Sequence, residues 1–159
     1  MDYELISPRD ENASALVQVL MNRGFSKTEI VHYLNTTEAD LVDPSTIEHI
    51  ADGAAMLRKH MDNNSKVFIQ VDSDVDGYTS SSILMNYIHR INAEWVDNNW
   101  IYNLHDTKAH GIIPLDVPTD VNLVIIPDAG SEQFLEHKAV QDRGIDVLII
   151  DHHNAAGYS

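Results

Sequence analysis

Three short apolar runs place the strongest constraint on how this chain folds. "KVFIQV" begins at Lys66, "NLVII" begins at Asn122 and "DVLII" begins at Asp146. All three are rich in branched residues and too short for ordinary helices, so they are typical of strands that a parallel sheet buries on both faces. Helical patterns separate them. The alternation predicts an α/β domain, a parallel sheet with flanking helices and right-handed crossovers.

The segments between the runs supply the expected helices. "TSSSILMNYIHRI" follows the first run, and "SEQFLEHKAVQDRG" leads to the third. We expect Ser131 to cap the second of these helices and Gly144 to end it. "NWIYNLH" lies between them and is compatible with a further strand.

The first 62 residues have the pattern of a helical leader. "NASALVQVLMNRG" has apolar spacings of three and four, and "SKTEIVHYL" opens with a capping box of Ser26 and Glu29. We expect a third helix to start with Asp43 as its cap and Pro44 at its first position. The predicted organisation is a helical leader, residues 1–62, packed on an α/β core, residues 63–159.

The composition excludes several classes of protein. No cysteine is present, which rules out disulfides, thiolate metal sites and a cysteine nucleophile, and which fits a cytoplasmic location. The acidic N-terminus lacks an apolar segment, and no run of about 18 apolar residues occurs anywhere. We therefore expect neither a signal peptide nor a membrane span.

The charge balance limits the binding of polyanions. The formal net charge is −15, which opposes non-specific binding to nucleic acid because such binding depends on Lys and Arg. Between Val67 and His137 the only Lys or Arg residues are Arg90 and Lys108. A polyanionic substrate in this region would need metal ions, histidines, backbone amides or another domain.

Acidic and histidine side chains follow each predicted strand. They are Asp72, Asp74 and Asp76 after the first strand, Asp128 after the second, and Asp151, His152 and His153 after the third. Ligands bind outside the carboxyl ends of strands in open α/β sheets, and adjacent strands lie about 4.8 Å apart, so the clusters can converge. Carboxylates with neutral imidazoles suit Mn²⁺ or Mg²⁺, and a shared aspartate could bridge two ions.

The same clusters are compatible with other interpretations. "DSDVDG" matches the start of a calcium-binding EF-hand loop, but the twelfth position is Ile83 instead of Glu, and a strand precedes the loop. Any one cluster alone is more typical of a turn or a solvated loop, and only their equivalent positions favour a site. The histidines in helical patterns are assigned to surfaces or packing: His32, His49, His60 and His137.

Three motifs resemble those of a known family. "DSDVDGYTSS", "IIPDAG" and "VLIIDHHN", in this order, resemble the first three motifs of the DHH phosphoesterase superfamily. "LMNRGFSKTEIVHYLN" and "LVDPSTIEHIADGAAMLRKHM" resemble the leader of its RecJ-type single-strand exonucleases. "HDTKAHGI" stands where RecJ-type proteins carry a basic segment near the substrate, so the resemblance makes Lys108 and His110 candidates for phosphate contact.

The resemblance also implies a set of metal ligands. Asp74 and Asp76 would hold one ion each, Asp128 would bridge the two ions, and His152 would ligate the second ion. These four residues are thus candidate catalytic and metal-binding residues.

Three further positions receive roles from the resemblance. His153 would face the scissile phosphate and is the fifth candidate catalytic residue, and Asp151 would orient a histidine from outside the ligand set. Many relatives carry a histidine where this chain has Gln70, so Asp72 is a further candidate metal ligand.

The implied chemistry is hydrolysis of phosphodiesters with two divalent ions, Mn²⁺ or Mg²⁺. The first expectation is a 5′-to-3′ exonuclease on single-stranded DNA, with a role in DNA repair and recombination. The alternatives are a hydrolase of short oligonucleotides or cyclic dinucleotides, and a binding or scaffold protein of the same fold. The family's downstream aspartate and second domain do not occur within residues 1–159. We therefore expect weak activity from this chain alone and a C-terminal domain or partner chain that completes the cleft.

Overall fold

The computed structural model describes residues 9–105 and 109–154 of the chain. Two compact units are present, with the division between Glu48 and His49. The helix of residues 50–62 falls in the second unit. The predicted boundary between a leader of residues 1–62 and a core from residue 63 stays a prediction. No helix among the described residues is both long and apolar enough to cross a membrane.

The first unit contains helices α1 (Ala15–Asn22) and α2 (Lys27–Leu34). The predicted capping box at the start of α2 is present: Ser26 N–H donates to Glu29 Oε2 at 2.7 Å, and Glu29 N–H donates to Ser26 Oγ at 3.3 Å. These bonds satisfy backbone donors that the first turn leaves without partners, which explains why the helix begins here.

The predicted helix start at Asp43 is wrong. Asp43 caps only a short 3₁₀ turn, Pro44–Thr46, and helix α3 begins at Ile50 (Ile50–Asp62). The Thr46 hydroxyl donates to the Asp43 carbonyl at 2.7 Å, a local bond that competes with helix propagation. His49, with φ of 58°, then breaks the helical backbone before Ile50.

The second unit is built on a four-stranded parallel sheet. Its strands are β1 (Val67–Val71), β2 (Trp100–Leu104), β3 (Leu123–Pro127) and β4 (Asp146–Ile150), in the spatial order β2-β1-β3-β4. Every neighbouring pair is parallel. The predicted α/β fold with flanking helices is confirmed, and the strands after which the polar clusters come, β1, β3 and β4, are adjacent.

Three helices connect the strands: α4 (Val75–Ile91), α5 (Ala93–Asn99) and α6 (Phe134–Gln141). Helix α4 starts earlier than the sequence pattern indicated, because Asp74 is its N-cap. The predicted cap of α6 is wrong: the N-cap position is Gln133, and Ser131 lies in the preceding loop. Ser131 is instead held by its backbone N–H, which donates to Asp151.

The sheet is covered on both faces. On one face Val67, Ile69 and Val71 pack with Ile88 of α4 and Trp95 of α5. The buried cluster on the other face consists of Phe68, Ile112, Val117, Val121, Val124, Ile126, Ala129, Val140 and Ile145. Strands β1 and β3 are buried throughout, as predicted, whereas β4 is half-buried because it lies at the edge of the sheet.

Candidate metal centre

The loops that follow β1, β3 and β4 bring potential metal ligands into two groups. One group contains Asp128, His152 and His153, and the other contains Asp72, Asp74 and His110. Within each group, one ligand atom from each residue lies within 4.8 Å of the others. Five of these residues come from the three strand-end clusters of the sequence, and His110 comes from the segment after β2.

Asp128 lies at the centre of this edge of the sheet. It follows β3 directly with a φ of 71°, the left-handed conformation that few residues other than glycine adopt. Its backbone N–H donates to the Ile150 carbonyl at 2.7 Å, which joins the ends of β3 and β4. The Asp128 side chain is buried, with Oδ1 at 3.0 Å from His152 Nε2. Among the described residues, Asp128 Oδ2 has no hydrogen-bond partner.

The electrostatics around Asp128 favour a cation. Burial raises the pKa of the Asp128 carboxyl, and the nearby Asp74 carboxylate raises it further, as does Asp76. A buried polar atom without a partner costs free energy unless something binds it. Carboxylate oxygens and imidazole nitrogens suit Mn²⁺ and Mg²⁺. The donor set, the orphan oxygen and the crowded negative charge therefore fit divalent ions.

Asp151 is a buried carboxylate that holds a histidine. Its Oδ1 lies 2.7 Å from His153 Nδ1 and accepts the His153 backbone N–H at 3.1 Å, and its Oδ2 accepts the Ser131 N–H at 3.0 Å. Burial alone would raise the pKa of Asp151, but these donors hold it well below the usual range. The same pair raises the pKa of His153, whose side chain is exposed. An orienting role for Asp151 requires a contact of this kind, and that role stays a prediction.

Asp72 makes an equivalent pair with His110. Its Oδ2 lies 2.7 Å from His110 Nδ1, and its Oδ1 accepts the Gly111 N–H at 3.0 Å. The Asp72 side chain is only 2% exposed, whereas that of His110 is 62% exposed. The hydrogen bond with Asp72 raises the pKa of His110.

Asp74 and Asp76 belong to the start of α4. Asp74 Oδ1 accepts the Gly77 N–H at 3.0 Å, which lowers the pKa of the Asp74 carboxyl. Asp76 is exposed in the first turn and belongs to neither group of ligand atoms among the described residues. Its charge nevertheless acts on Asp128. The role of Asp76 as a metal ligand stays a prediction.

Two positions that the sequence analysis singled out, Gln70 and Lys108, belong to neither group of ligands. Gln70 is fully buried in β1, and its side chain pairs with Asn103 of β2 through two bonds of 3.3 Å. The amide is thus engaged with the neighbouring strand. Lys108 lies outside the described residues, so its predicted contact with phosphate stays a prediction.

A cavity of about 360 Å³ adjoins the two aspartate–histidine pairs. Its lining consists of Asp72, His110, Gly111, Ala129, Gly130, Ser131, Glu132, Gln133, Asp151, His153 and Asn154. The sequence reasoning missed Gln133, which shapes this cavity by accepting the Ile112 N–H at 2.6 Å and donating to the Ile112 carbonyl at 3.2 Å. The glycine at position 111 was the local sequence signal for the turn before Ile112. Its φ is 70°, a backbone conformation that favours glycine.

Several curated proteins are similar to this chain. It is 44% identical over 153 residues to the SPbeta prophage-derived YorK of Bacillus subtilis, a protein named as a single-strand DNA-specific exonuclease. It is 26% identical over 170 residues to the single-stranded-DNA-specific exonuclease RecJ of the same organism. Each alignment covers 96% of this chain, but only 26% of the length of YorK and 21% of that of RecJ.

Two solved structures share the fold, and a family model matches the core. RecJ of Thermus thermophilus in complex with Mn²⁺ superposes with a TM-score of 0.54 and 16% identity, over 71% of this chain and 16% of RecJ. An exonuclease RecJ bound to manganese superposes with a TM-score of 0.56 and 17% identity, over 67% of this chain and 28% of that one. The model of the DHH family, N-terminal domain, matches residues 66–159. On this match, which spans β1 to β4 and all three strand-end clusters, the chain belongs to the DHH family.

Proposed function

We propose that this chain carries the metal-binding core of a phosphodiester hydrolase that depends on Mn²⁺ or Mg²⁺, acting as a 5′-to-3′ exonuclease on single-stranded DNA. One observation carries the proposal: the buried Asp128 belongs to one group of carboxylate and imidazole ligands and is acted on by Asp74 of the other, and its Oδ2 has no hydrogen-bond partner within the described part of the chain. The names of YorK and RecJ support the choice of single-stranded DNA as the substrate. A role in DNA repair and recombination and a cytoplasmic location belong to the same proposal.

The residues assigned to two divalent ions are Asp74, Asp76, Asp128 and His152. Bound ions would lower the pKa of a water molecule and neutralise the charge that develops on the phosphate during in-line displacement. The Asp128 carboxylate is buried, and its Oδ1 lies 3.0 Å from His152 Nε2. Both side chains are thus positioned before an ion binds. Little reorganisation is then needed on binding.

His153 is proposed to contact the scissile phosphate. Asp151 fixes the imidazole through Nδ1, which leaves Nε2 free to face a ligand. The pairing raises the pKa of His153 and so favours its cationic form, a charge-assisted hydrogen-bond donor for a phosphate oxygen. Such local positive charge matters because the chain as a whole has a formal net charge of −15. Lys108 stays a sequence-based candidate for phosphate contact.

The test measures hydrolysis of DNA by this protein. Oligonucleotides labelled at either end, single-stranded or duplex, are incubated with Mn²⁺ or with EDTA at low salt, where attraction to phosphate is least screened. We expect Mn²⁺-dependent release of nucleotides from the 5′ end of the single strand. Asp128→Asn should abolish this release. Asp97→Asn is the control and should not affect the release. Asp97 on α5 is exposed, and its Oδ1 lies 3.3 Å from Nε2 of His89 on α4.

Other outcomes of this assay would replace the proposal. Cleavage of dinucleotides with no cleavage of long single strands would favour a hydrolase of short oligonucleotides. Binding of Mn²⁺ with no hydrolysis of any phosphodiester would favour a scaffold protein. The expected contribution of a further domain or partner chain to the cleft is part of the proposal. It predicts higher activity when that domain is present.

A further inference from the structure

We infer that His110 supplies a nitrogen ligand to the divalent ion that Asp74 binds. Asp72 orients His110 and does not bind the ion itself. The inference rests on the proposed metal-dependent function. It differs from the assignments drawn from the sequence, in which His110 contacts phosphate and Asp72 is a metal ligand.

The geometry of the Asp72–His110 pair is that of an oriented metal ligand. Asp72 Oδ2 and His110 Nδ1 lie 2.7 Å apart, which places a proton on Nδ1 and leaves Nε2 as the acceptor on the other side of the ring. Histidines that bind metals in proteins almost always donate their second ring N–H to a carboxylate, carbonyl or water. His110 is 62% exposed, so an ion can reach the ring.

Asp72 is poorly placed to bind an ion itself. Both of its oxygens accept hydrogen bonds, one from His110 and one from the Gly111 N–H. The backbone of α4 closes over it: a Cβ added at Gly77 would lie 2.6 Å from Asp72 Cβ and 2.7 Å from the Asp72 carbonyl oxygen. The Asp72 side chain is only 2% exposed, so little of its carboxylate is open to an ion.

His110 is the one imidazole in the described group of ligands that contains Asp74. Among the described residues, the group on the Asp128 side holds His152 and His153, whereas the group with Asp74 holds His110 alone. Gln70 cannot substitute, because its side-chain amide pairs with Asn103. A second observation points to an ion between the two groups. Asp128 Oδ2 is buried and finds no partner in residues 9–105 and 109–154, and Asp74 is close enough to act on the Asp128 carboxyl.

The experiment counts histidine nitrogens around bound Mn²⁺. Pulsed electron paramagnetic resonance resolves nitrogen coupling to the ion, and equilibrium dialysis gives the stoichiometry and affinity. We expect His110→Gln to remove one histidine nitrogen from the count and to weaken one Mn²⁺ site by at least about tenfold. His89→Gln is the matched control, since it alters another exposed histidine paired with an aspartate, and it should change neither quantity.

A second variant separates orientation from ligation. Asp72→Asn should weaken the same Mn²⁺ site by about tenfold to hundredfold, the usual cost of removing the partner of a metal-bound histidine, with His110 still coupled to the ion. Because the His110 ring is mostly exposed, His110→Gln should melt at the wild-type temperature in EDTA, which excludes a loss of fold.

The failures of the two proposals are distinguishable. Wild-type nitrogen count and affinity in His110→Gln would overturn the inference about His110. If Asp128→Asn still weakened Mn²⁺ binding in that case, the proposed metal-dependent function would stand. If neither variant altered Mn²⁺ binding, both proposals would fail.

Discussion

Two buried aspartates that line the cavity, Asp72 and Asp151, make the same kind of contact with a histidine. Each side chain is 2% exposed and lies 2.7 Å from the Nδ1 atom of an exposed histidine, His110 or His153. Each also accepts a backbone N–H from a neighbouring loop. The pairs fix the tautomer and direction of the two imidazoles, so the ring nitrogens that face solvent are ready for an ion or a phosphate.

A substitution at Gly77 tests how closely the start of α4 packs against Asp72. We expect Gly77→Ala to destabilise the protein by about 1–3 kcal/mol, since the new methyl would lie 2.6 Å from Asp72 Cβ and 2.7 Å from its carbonyl oxygen, where backbone must move. Urea denaturation gives the change in the free energy of unfolding. Helix propensity alone predicts the opposite sign, because alanine is about 1 kcal/mol better than glycine in a helix.

Gly53→Ala is the control for this prediction. Gly53 lies inside α3, and a Cβ there would meet only the end of the Leu148 side chain, at 3.1 Å, which can move aside. We expect its free energy of unfolding to stay within about 0.5 kcal/mol of wild type or to rise. Equal stability of the two variants would show that Asp72 is not enclosed as described.

At the scale of elements, the sequence predicted the strands better than the helix ends. The runs at Lys66, Asn122 and Asp146 became β1, β3 and β4 because branched apolar residues of that length suit a buried sheet. Helix ends depend on bonds that a pattern does not reveal. The N–H of Ser131 is bound by Asp151, 20 residues away in sequence, and the helix expected at Pro44 stops after one turn.

The link between α3 and β4 gives an element-scale prediction of pH dependence. Asp146 Oδ2 lies 3.0 Å from Lys59 Nζ and 2.9 Å from His60 Nε2. The hydrogen bond from Lys59 lowers the pKa of the Asp146 carboxyl in the folded state. Since the Asp146–Lys59 pair is partly exposed, we expect Asp146→Asn to lower the free energy of unfolding by only about 0.5–1 kcal/mol at pH 7.

The sign of the pH dependence follows from the lowered pKa. The unfolded chain binds the proton more readily than the folded chain does. The stabilisation is therefore complete above the pKa of the unfolded chain, about 4, and is lost as the pH falls through the lower pKa of the folded chain. Urea denaturation of wild type and Asp146→Asn between pH 7 and pH 2 measures this. Their free energies of unfolding should converge at the acid end. A difference that persisted unchanged to pH 2 would contradict the assignment.

At the scale of the whole molecule, the sequence pattern predicted that side chains from three strand ends lie at one sheet edge, but it did not predict the contacts among them. Adjacency of β1, β3 and β4 brings Asp74, Asp128 and His152 to the same edge, which parallel topology alone predicts. The pairing of Asp72 with His110 could not be predicted in this way. It depends on where the segment after β2 returns to the end of β1, a tertiary contact between residues 38 apart in sequence.

Negative charge collected at this edge is the central feature of the molecule. The buried Asp128 joins the ends of β3 and β4 through its backbone and lies beside Asp74, an arrangement that costs stability unless cations bind there. The site is therefore expected to bind divalent ions more strongly than scattered surface carboxylates do.

Calorimetric titration with Mn²⁺ tests this claim most directly. Wild type should bind two ions, and Asp128→Asn should lose affinity for both, because the proposed bridging carboxylate is removed while its shape is kept. Asp97→Asn, the control with an exposed aspartate–histidine pair, should bind as wild type does. Equal Mn²⁺ affinity and stoichiometry in wild type and Asp128→Asn would contradict a metal centre at this edge of the sheet.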